Sequence, residues 1–369
     1  MISQPNLKKV FEKFTTQGSF VKAEPYGDGH IHDTFKVSTK NDTYDYILQR
    51  LNTYVFRDIE ALQQNISRVT RHLRKKLEEA GESEIDRKCL TLINTVDDNV
   101  YARDDEGSYW RMYIFISNHR SYQVVKDTLQ AFQGGKAIGR FQALLADMPS
   151  PPLNETIPYF HNIENRLLLF HNALEKDIHG RAANIQEEIE FVESRQEEMK
   201  TILRLGKEGK IPLRITHNDT KFNNILLDQN DKALCVIDLD TVMPGYVHYD
   251  FGDAIRTAAN SAAEDEKDLD KIFMNIELYE AYARGYLDEL KEVLNPVEKE
   301  YLPYAPSLIT YTIGLRFLTD HLDGDKYFKT HRKNHNLDRA RTQFRLVRSN
   351  EEQIEDMKRI IADICSGTN

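Results

Sequence analysis

Between Ile215 and Asp228 the chain reads ITHNDTKFNNILLD, and shortly afterwards ALCVIDLDT. Polar residues crowded between apolar, strand-like runs are costly to bury without partners, so such a stretch is a solvated turn or a site with a ligand. The order is H-x-D-x-x-x-x-N, a strand, a tight DQND turn, and a second strand ending in I-D-L-D. If the two strands pair, Asp219, Asn224 and Asp238 converge, placing two carboxylates and an amide oxygen around one point. Hard oxygen donors beside a carboxylate that can accept a hydroxyl proton suit Mg²⁺-assisted phosphoryl transfer, where positioning and charge neutralisation do most of the work. Asp219 is then the base or hydroxyl-orienting group, and Asn224 with Asp238 the Mg²⁺ ligands. Taken singly, each residue reads as a turn cap; the ordered set reads as a catalytic loop. His217 reads as a structural histidine satisfied by nearby backbone. Lys221 either meets the transferring phosphoryl group or reaches solvent.

These residues need a frame. NLKKVFEKF has helical spacing, and VKAEPYGDGHIHDTFKVSTKNDTYDYILQRLN alternates like strands separated by the turns YGDGH and TKNDT. From about Asp58 to Glu79, Ile59, Leu62, Ile66, Val69, Leu73 and Leu77 define one helix face. KCLTLINT, NVYARDD and SYWRMYIFIS follow as short strands, the last two joined by DDEGS. After about Asn118 the pattern becomes long amphipathic helices, with the ITHNDTKFNNILLD region as the main β-island. The expected fold is α+β and two-lobed, like a protein kinase: a β-rich N-lobe over residues 1–117 and a mainly helical C-lobe over 118–369. In such a frame Gly27 and Gly29 let a hairpin approach the phosphates of ATP through backbone N–H groups. The third strand offers either Gln49 or Arg50 to the cleft, since alternation lets only one face it. The MYIFISN connection, with Ile116, would meet adenine. No Walker A pattern is present.

Composition bounds the alternatives. With 369 residues, 40% hydrophobic, 29% charged and a net charge of -10, the chain is an ordinary globular protein, without the bulk positive charge of a nucleic-acid binder. Cys89, Cys235 and Cys365 are scattered, with neither metal-ligand nor disulfide spacing. MISQPNLKKVFEKF lacks an apolar signal core, and no segment has bilayer-spanning length, so the expected location is the cytoplasm and no membrane or protein partner is called for.

THNDTKFNNILLD and CVIDLDTVMPG resemble the aminoglycoside phosphotransferase and choline kinase superfamily. From EPYGDGHI through YILQ, PLRITHNDTK, YDFGDAIR and EDEKDLDK to LRFLTDHLDGDKYF and HNLDRARTQ, nearly the whole chain is similar to its N-acetylhexosamine 1-kinases. The resemblance implies ATP-dependent phosphorylation of the anomeric hydroxyl of N-acetylglucosamine or N-acetylgalactosamine. It makes Asp219 the base and Asn224 and Asp238 the magnesium ligands, and it implies that Arg316 and Tyr327 line the sugar pocket. From the residues alone, Arg316 needs acceptors, which a sugar or an ion pair with Asp320 or Asp253 would supply equally, and Tyr327 is a sugar wall or core. Two departures stand out. His32 replaces the Asn of GHIN, adding a titratable ring near phosphate or sugar. Thr257 replaces an aromatic residue after FGDAIR, which would widen the pocket for a differently substituted hexosamine. Other small hydroxyl acceptors, a non-catalytic sugar- or nucleotide-binding pseudokinase, and a hydrolase with metal on His248 and Asp250 are the competing readings.

Overall fold

The computed structural model describes residues 6–27 and 31–367. A short helix α1 (Leu7–Phe11) leads into β1 (Ser19–Pro25), β2 (Asp33–Lys40) and β3 (Tyr46–Arg50). Helix α2 (Ile59–Glu79), the single turn α3 (Ile85–Lys88), and strands β4 (Ala102–Arg103) and β5 (Tyr109–Ile114) complete the lobe. The five strands form one antiparallel sheet in the order β1-β2-β3-β5-β4. Asp58 caps α2 by accepting from the Ala61 N–H, and Leu62, Ile66, Val69, Leu73 and Leu77 are buried along one stripe, as their spacing demands.

KCLTLINT departs from the expected strand. It touches β5 through Ile93 and Thr91 (2.8 and 3.0 Å), then turns away to meet Phe14 and Thr15, so its backbone groups are shared between two neighbours and no continuous ladder forms. NVYARDD is likewise reduced to the two residues of β4.

Beyond β5 the chain crosses to the second lobe through a tightly bonded connection. Phe115 N–H donates to the Asp45 carbonyl (2.8 Å), His119 Nδ1 donates to the Ile116 carbonyl (2.6 Å), and Arg120 and Leu227 exchange both backbone hydrogen bonds (2.8 and 2.9 Å).

The C-lobe contains α4 (Thr128–Leu145), α5 (Ile163–Lys176), α6 (Gln186–Met199) and α7 (Thr201–Lys207). Four short strands follow: β6 (Arg214–Thr216), β7 (Ile225–Leu227), β8 (Ala233–Val236) and β9 (Met243–Gly245). The lobe closes with α8 (Val247–Ala258), α9 (Ile276–Leu290), α10 (Pro296–Tyr301), α11 (Ala305–Leu322), α12 (His335–Glu352) and α13 (Ile354–Ser366). β7 pairs with β8 as the DQND turn requires, while β6 pairs with β9, a strand too short to show in the pattern. Helices α8 and α11 are buried on nearly every side and form the centre of the lobe. No described helix is long and apolar enough to cross a membrane.

α4 and α9 approach so closely that glycine is required on both. A Cβ on Gly135 would lie 2.0 Å from the Tyr282 carbonyl oxygen, and one on Gly285 would lie 2.0 Å from that of Phe132. Gly135→Ala gains about 1 kcal/mol of helix propensity but forces two backbones apart, an overpacking cost at the upper end of about 1–3 kcal/mol. A net loss of stability is expected, read as a lower urea midpoint.

Candidate functional site

Asp219, Lys221, Asn224 and Asp238 all line one cavity of about 1310 Å³ between the lobes. The loop that carries them is held from behind. Asp250, fully buried on α8, accepts from the N–H groups of His217 (2.8 Å) and Asn218 (2.6 Å) and from Gln142 Nε2 (2.6 Å), while its carbonyl accepts from the Thr220 hydroxyl (2.7 Å). Asn218 takes a positive φ of 65°, which its side chain supports by donating to the Thr216 and Thr241 carbonyls. His217 Nε2 donates to the Ile237 carbonyl (2.8 Å), tying the loop to β8 and its extension. His217 is therefore structural, as its sequence context suggests. Asp250 is a loop clamp, and burial holds its carboxyl above the ordinary range.

With the loop so fixed, Asn224 Nδ2 donates to the Asp219 carbonyl (2.8 Å), leaving its Oδ1 for a ligand, and Ile237 N–H bonds the Asn224 carbonyl (2.9 Å). Asp238 follows at once, in the left-handed region with φ 62°. Burial and the adjacent charges of Asp240 and Asp219 push its carboxyl well up. Lys221 Nζ lies 3.0 Å from Asp219 Oδ1 and is half-exposed, so it points into the cleft and not away from it. Burial alone would raise the Asp219 carboxyl; the Lys221 ammonium outweighs it and holds the group ionised.

The opposite wall corrects one expectation. Cross-strand partners share a face, and the register aligns Thr34, Gln49 and Arg111 on one face and Asp33, Arg50 and Trp110 on the other. Gln49 faces the cleft, donating to Thr34 Oγ1 (3.0 Å) and accepting from Arg111 Nε (2.9 Å). Arg50 pairs with Asp33 away from the cleft and does not line the cavity. The cation comes from β5: Arg111, 1% exposed, forks onto both carboxylate oxygens of Asp240, with Nη2 to Oδ2 at 2.6 Å. Against the burial of this carboxyl, the guanidinium holds Asp240 well below the usual carboxylate range. His32 Nδ1 accepts from the Asn52 N–H (3.0 Å), which leaves the proton on Nε2 to donate to Asp240 (3.2 Å). His32, directly before β2, thus ties the start of that strand to the loop after Asp238. Arg111 and Asp240 were missed from sequence; an Arg amid the aromatic run SYWRMYIFI and the second Asp of IDLD were the available signals.

Gly27 and Ile116 line the cavity at its N-lobe side, while Gly29 lies outside the described residues. Thr257 lines the other side with Asn260, Ser261 and Glu264, but its hydroxyl bonds the Asp253 and Ala254 carbonyls of its own helix, so it offers the cavity mainly its methyl group. Arg316 and Tyr327 are absent from the cavity lining. They meet beside it, with the Arg316 guanidinium 5.8 Å from the Tyr327 ring and 5.6 Å from that of Phe160. Neither anticipated ion pair forms. Asp253 pairs with Arg256, and Asp320 accepts from the N–H groups of Lys326, Tyr327 and Phe328. Tyr327, 64% exposed, is not core. His248 donates to or accepts nothing from Asp250; its Nε2 bonds the Glu298 carbonyl (3.0 Å), and burial lowers its pKa to about 4. Among the described residues no three His, Cys, Asp or Glu side chains gather as metal ligands.

The same architecture recurs in solved structures. An aminoglycoside phosphotransferase from Alicyclobacillus acidocaldarius superposes with a TM-score of 0.58 at 12% identity, over 99% of this chain and 97% of that one. An ethanolamine kinase from Plasmodium vivax gives 0.54 at 15%, over 86% and 80%. A spectinomycin phosphotransferase in complex with ADP and spectinomycin gives 0.54 at 12%, over 95% and 99%. These likenesses establish a two-lobed, protein-kinase-like fold. The sequence model of the phosphotransferase enzyme family matches residues 22–296, three-quarters of the chain and every residue of the catalytic loop, and the protein belongs to that family.

Proposed function

We propose that the protein is an ATP- and Mg²⁺-dependent sugar 1-kinase that phosphorylates the anomeric hydroxyl of an N-acetylhexosamine. The observation that carries the phosphotransfer part is the meeting of Asp219, Asn224 and Asp238 in one interlobe cavity, with Arg111 opposite. Asn224 Oδ1 and the Asp238 carboxylate are hard oxygen donors set among excess negative charge, and they fit a divalent cation. When bound, Mg²⁺ would neutralise phosphate charge. Asp219 orients the acceptor hydroxyl and takes its proton, and Lys221 keeps that carboxylate ionised until then. Arg111 is a buried N-lobe cation in the cavity lining whose charge acts on Asp238, and Gln49 with Asp240 fixes its direction. The ADP held by the spectinomycin phosphotransferase supports an adenine nucleotide as donor. Gly27 and Ile116 line the N-lobe side of the cavity, the wall we assign to that nucleotide.

The acceptor assignment rests on the resemblance of the chain to N-acetylhexosamine 1-kinases and on the polar wall of Asn260, Ser261 and Glu264. A cationic acceptor such as choline or an aminoglycoside calls for unpaired acid on that wall, and Glu264 is already engaged by Arg256 at 3.3 Å. Incubating the protein with ATP, Mg²⁺ and a panel of hexoses and N-acetylhexosamines should release ADP and form an acid-labile sugar phosphate. ADP release with only acid-stable products would move the site of phosphorylation off the anomeric carbon. ATP binding with no turnover across the panel would favour the pseudokinase.

A further inference from the structure

Gln343, on α12, lines the interlobe cavity and is 1% exposed, yet neither its Nε2 nor its Oε1 has a partner among the described residues. Thr310 and Asn350 also carry buried, unpartnered polar atoms, but neither lines the cavity; among the described residues Gln343 alone joins that state to a place on its wall. A buried amide with neither half satisfied is costly, and a ligand in the cavity would complete it. The side chain is held from behind. A Cβ added to Gly314 of α11 would stand 3.0 Å from the Gln343 Cβ, so the packing of α12 on α11 fixes the root of the side chain.

The neighbouring polar groups of that wall are already engaged. Ser261 Oγ donates to the Lys271 carbonyl (2.6 Å) and accepts from the Phe273 N–H (2.9 Å), Asn260 Oδ1 accepts from the Ala262 N–H (3.2 Å), and Glu264 meets Arg256. The wall belongs to the reacting end of the cavity, since the charge of Arg256 acts on both Asp219 and Lys221. Thr342, next to Gln343, donates to the Glu266 carbonyl (2.8 Å), which seats this turn of α12 against the segment that carries Glu264.

A primary amide sets a donor and an acceptor side by side. A carboxylate only accepts and a primary ammonium only donates, so either leaves half of the amide empty. A trans secondary amide turns its N–H and C=O in opposite directions, so an acetamido group meets one half at a time. Two hydroxyls on adjacent carbons meet both halves together, one donating to Oε1 and the other accepting from Nε2. In an N-acetylhexosamine the first carbon bears the reacting hydroxyl and the second the acetamido group, which leaves the 3- and 4-hydroxyls as the adjacent pair. We infer that Gln343 is a specificity-determining residue that binds the 3- and 4-hydroxyls of the acceptor sugar. This rests on the proposed kinase reading for the identity of the ligand as acceptor.

The test reads binding, with no turnover. The full chain, with Mg²⁺ and a non-hydrolysable ATP analogue, is titrated calorimetrically with N-acetylglucosamine and its 3-deoxy, 4-deoxy and 6-deoxy analogues. The 3-deoxy and 4-deoxy sugars should each bind roughly tenfold more weakly than the parent or worse, because each leaves half of a buried amide unpaired, while the 6-deoxy sugar binds like the parent. Gln343→Met keeps the length of the side chain without its polar atoms. It should bind the parent, 3-deoxy and 4-deoxy sugars alike, leave affinity for the ATP analogue unchanged, and unfold at or above the wild-type temperature, since an apolar group replaces an unpartnered one. Wild-type affinities that ignore the 3- and 4-hydroxyls, a preference that survives Gln343→Met, or no binding by any of these sugars overturns the inference. So does a Gln343→Met protein that melts well below wild type or fails to fold, since the amide would then be satisfied within the fold. If the preference is present and depends on Gln343 but no N-acetylhexosamine is phosphorylated, the site stands and the kinase assignment falls. If N-acetylhexosamines are turned over and the 3- and 4-deoxy sugars bind like the parent, the reverse holds.

Discussion

Asp219→Asn lowers kcat by about 10²–10⁴-fold, the usual contribution of a positioned general base. The amide keeps the size of the carboxylate and still accepts a hydrogen bond, but it carries no charge and cannot take a proton. Nucleotide affinity should stay at the wild-type value, because Asp238, Asn224, Gln49 and Arg111 are untouched. Steady-state kinetics together with a nucleotide-binding titration check both halves. Turnover equal to wild type would remove Asp219 from the role; a parallel collapse of nucleotide binding would mean that Asp219 holds the metal site together and is not the base. Lys221 shapes the same experiment, since its Nζ loses its partner at 3.0 Å in the variant.

Arg111→Ala has the largest expected effect on stability, a loss of about 3–5 kcal/mol, because it leaves the buried Asp240 carboxylate next to Asp238 with the His32 N–H as its one remaining side-chain donor among the described residues. Chemical denaturation at neutral pH is the direct measurement. The double variant Arg111→Met, Asp240→Leu removes both charges and should regain most of the loss, since a buried ion pair is often replaceable by apolar side chains of similar volume. Activity should not return with stability, as the wall opposite the proposed metal ligands would then lack its cation. A single variant that unfolds at the wild-type midpoint contradicts the reading of Arg111 and Asp240 as a desolvated pair across the two lobes.

The contrast between Asp219 and Arg111 explains what could be read from sequence. Asp219, Asn224 and Asp238 lie within 20 residues on one hairpin-like segment, so spacing and a single assumption of strand pairing bring them together. Arg111 and Asp240 are 129 positions apart, and their contact depends on how two lobes close on each other, which no local pattern encodes. The two-lobe architecture and the α2 helix were legible because strand alternation and a 3.6-residue stripe are local properties. The choice between Gln49 and Arg50 was not, because alternation gives two phases and only the partners across the sheet select one. KCLTLINT failed for a related reason: its residues favour a strand, but its backbone is divided between β5 and the segment after α1. Arg316 and Tyr327 were expected to line the sugar pocket; they meet each other and Phe160, but outside the cavity lining, and contacts with residues so distant in sequence leave no local pattern.

The bonded connection between the lobes sets how this machine can bend. Phe115 is anchored to the sheet and Arg120 to β7, so any rotation of one half against the other must be absorbed by Ile116 to His119, and even there the His119 ring clasps the Ile116 carbonyl. That leaves a short torsional pivot in place of a slack tether. β7 begins directly after Asn224, and its partner β8 runs on to Asp238, so the strand stitched to the pivot also carries the residues proposed to hold the metal. Twist applied at the connection would therefore reach the proposed reacting centre through a lever three residues long, so a rotation of the lobes about this joint would also reset the geometry of the site.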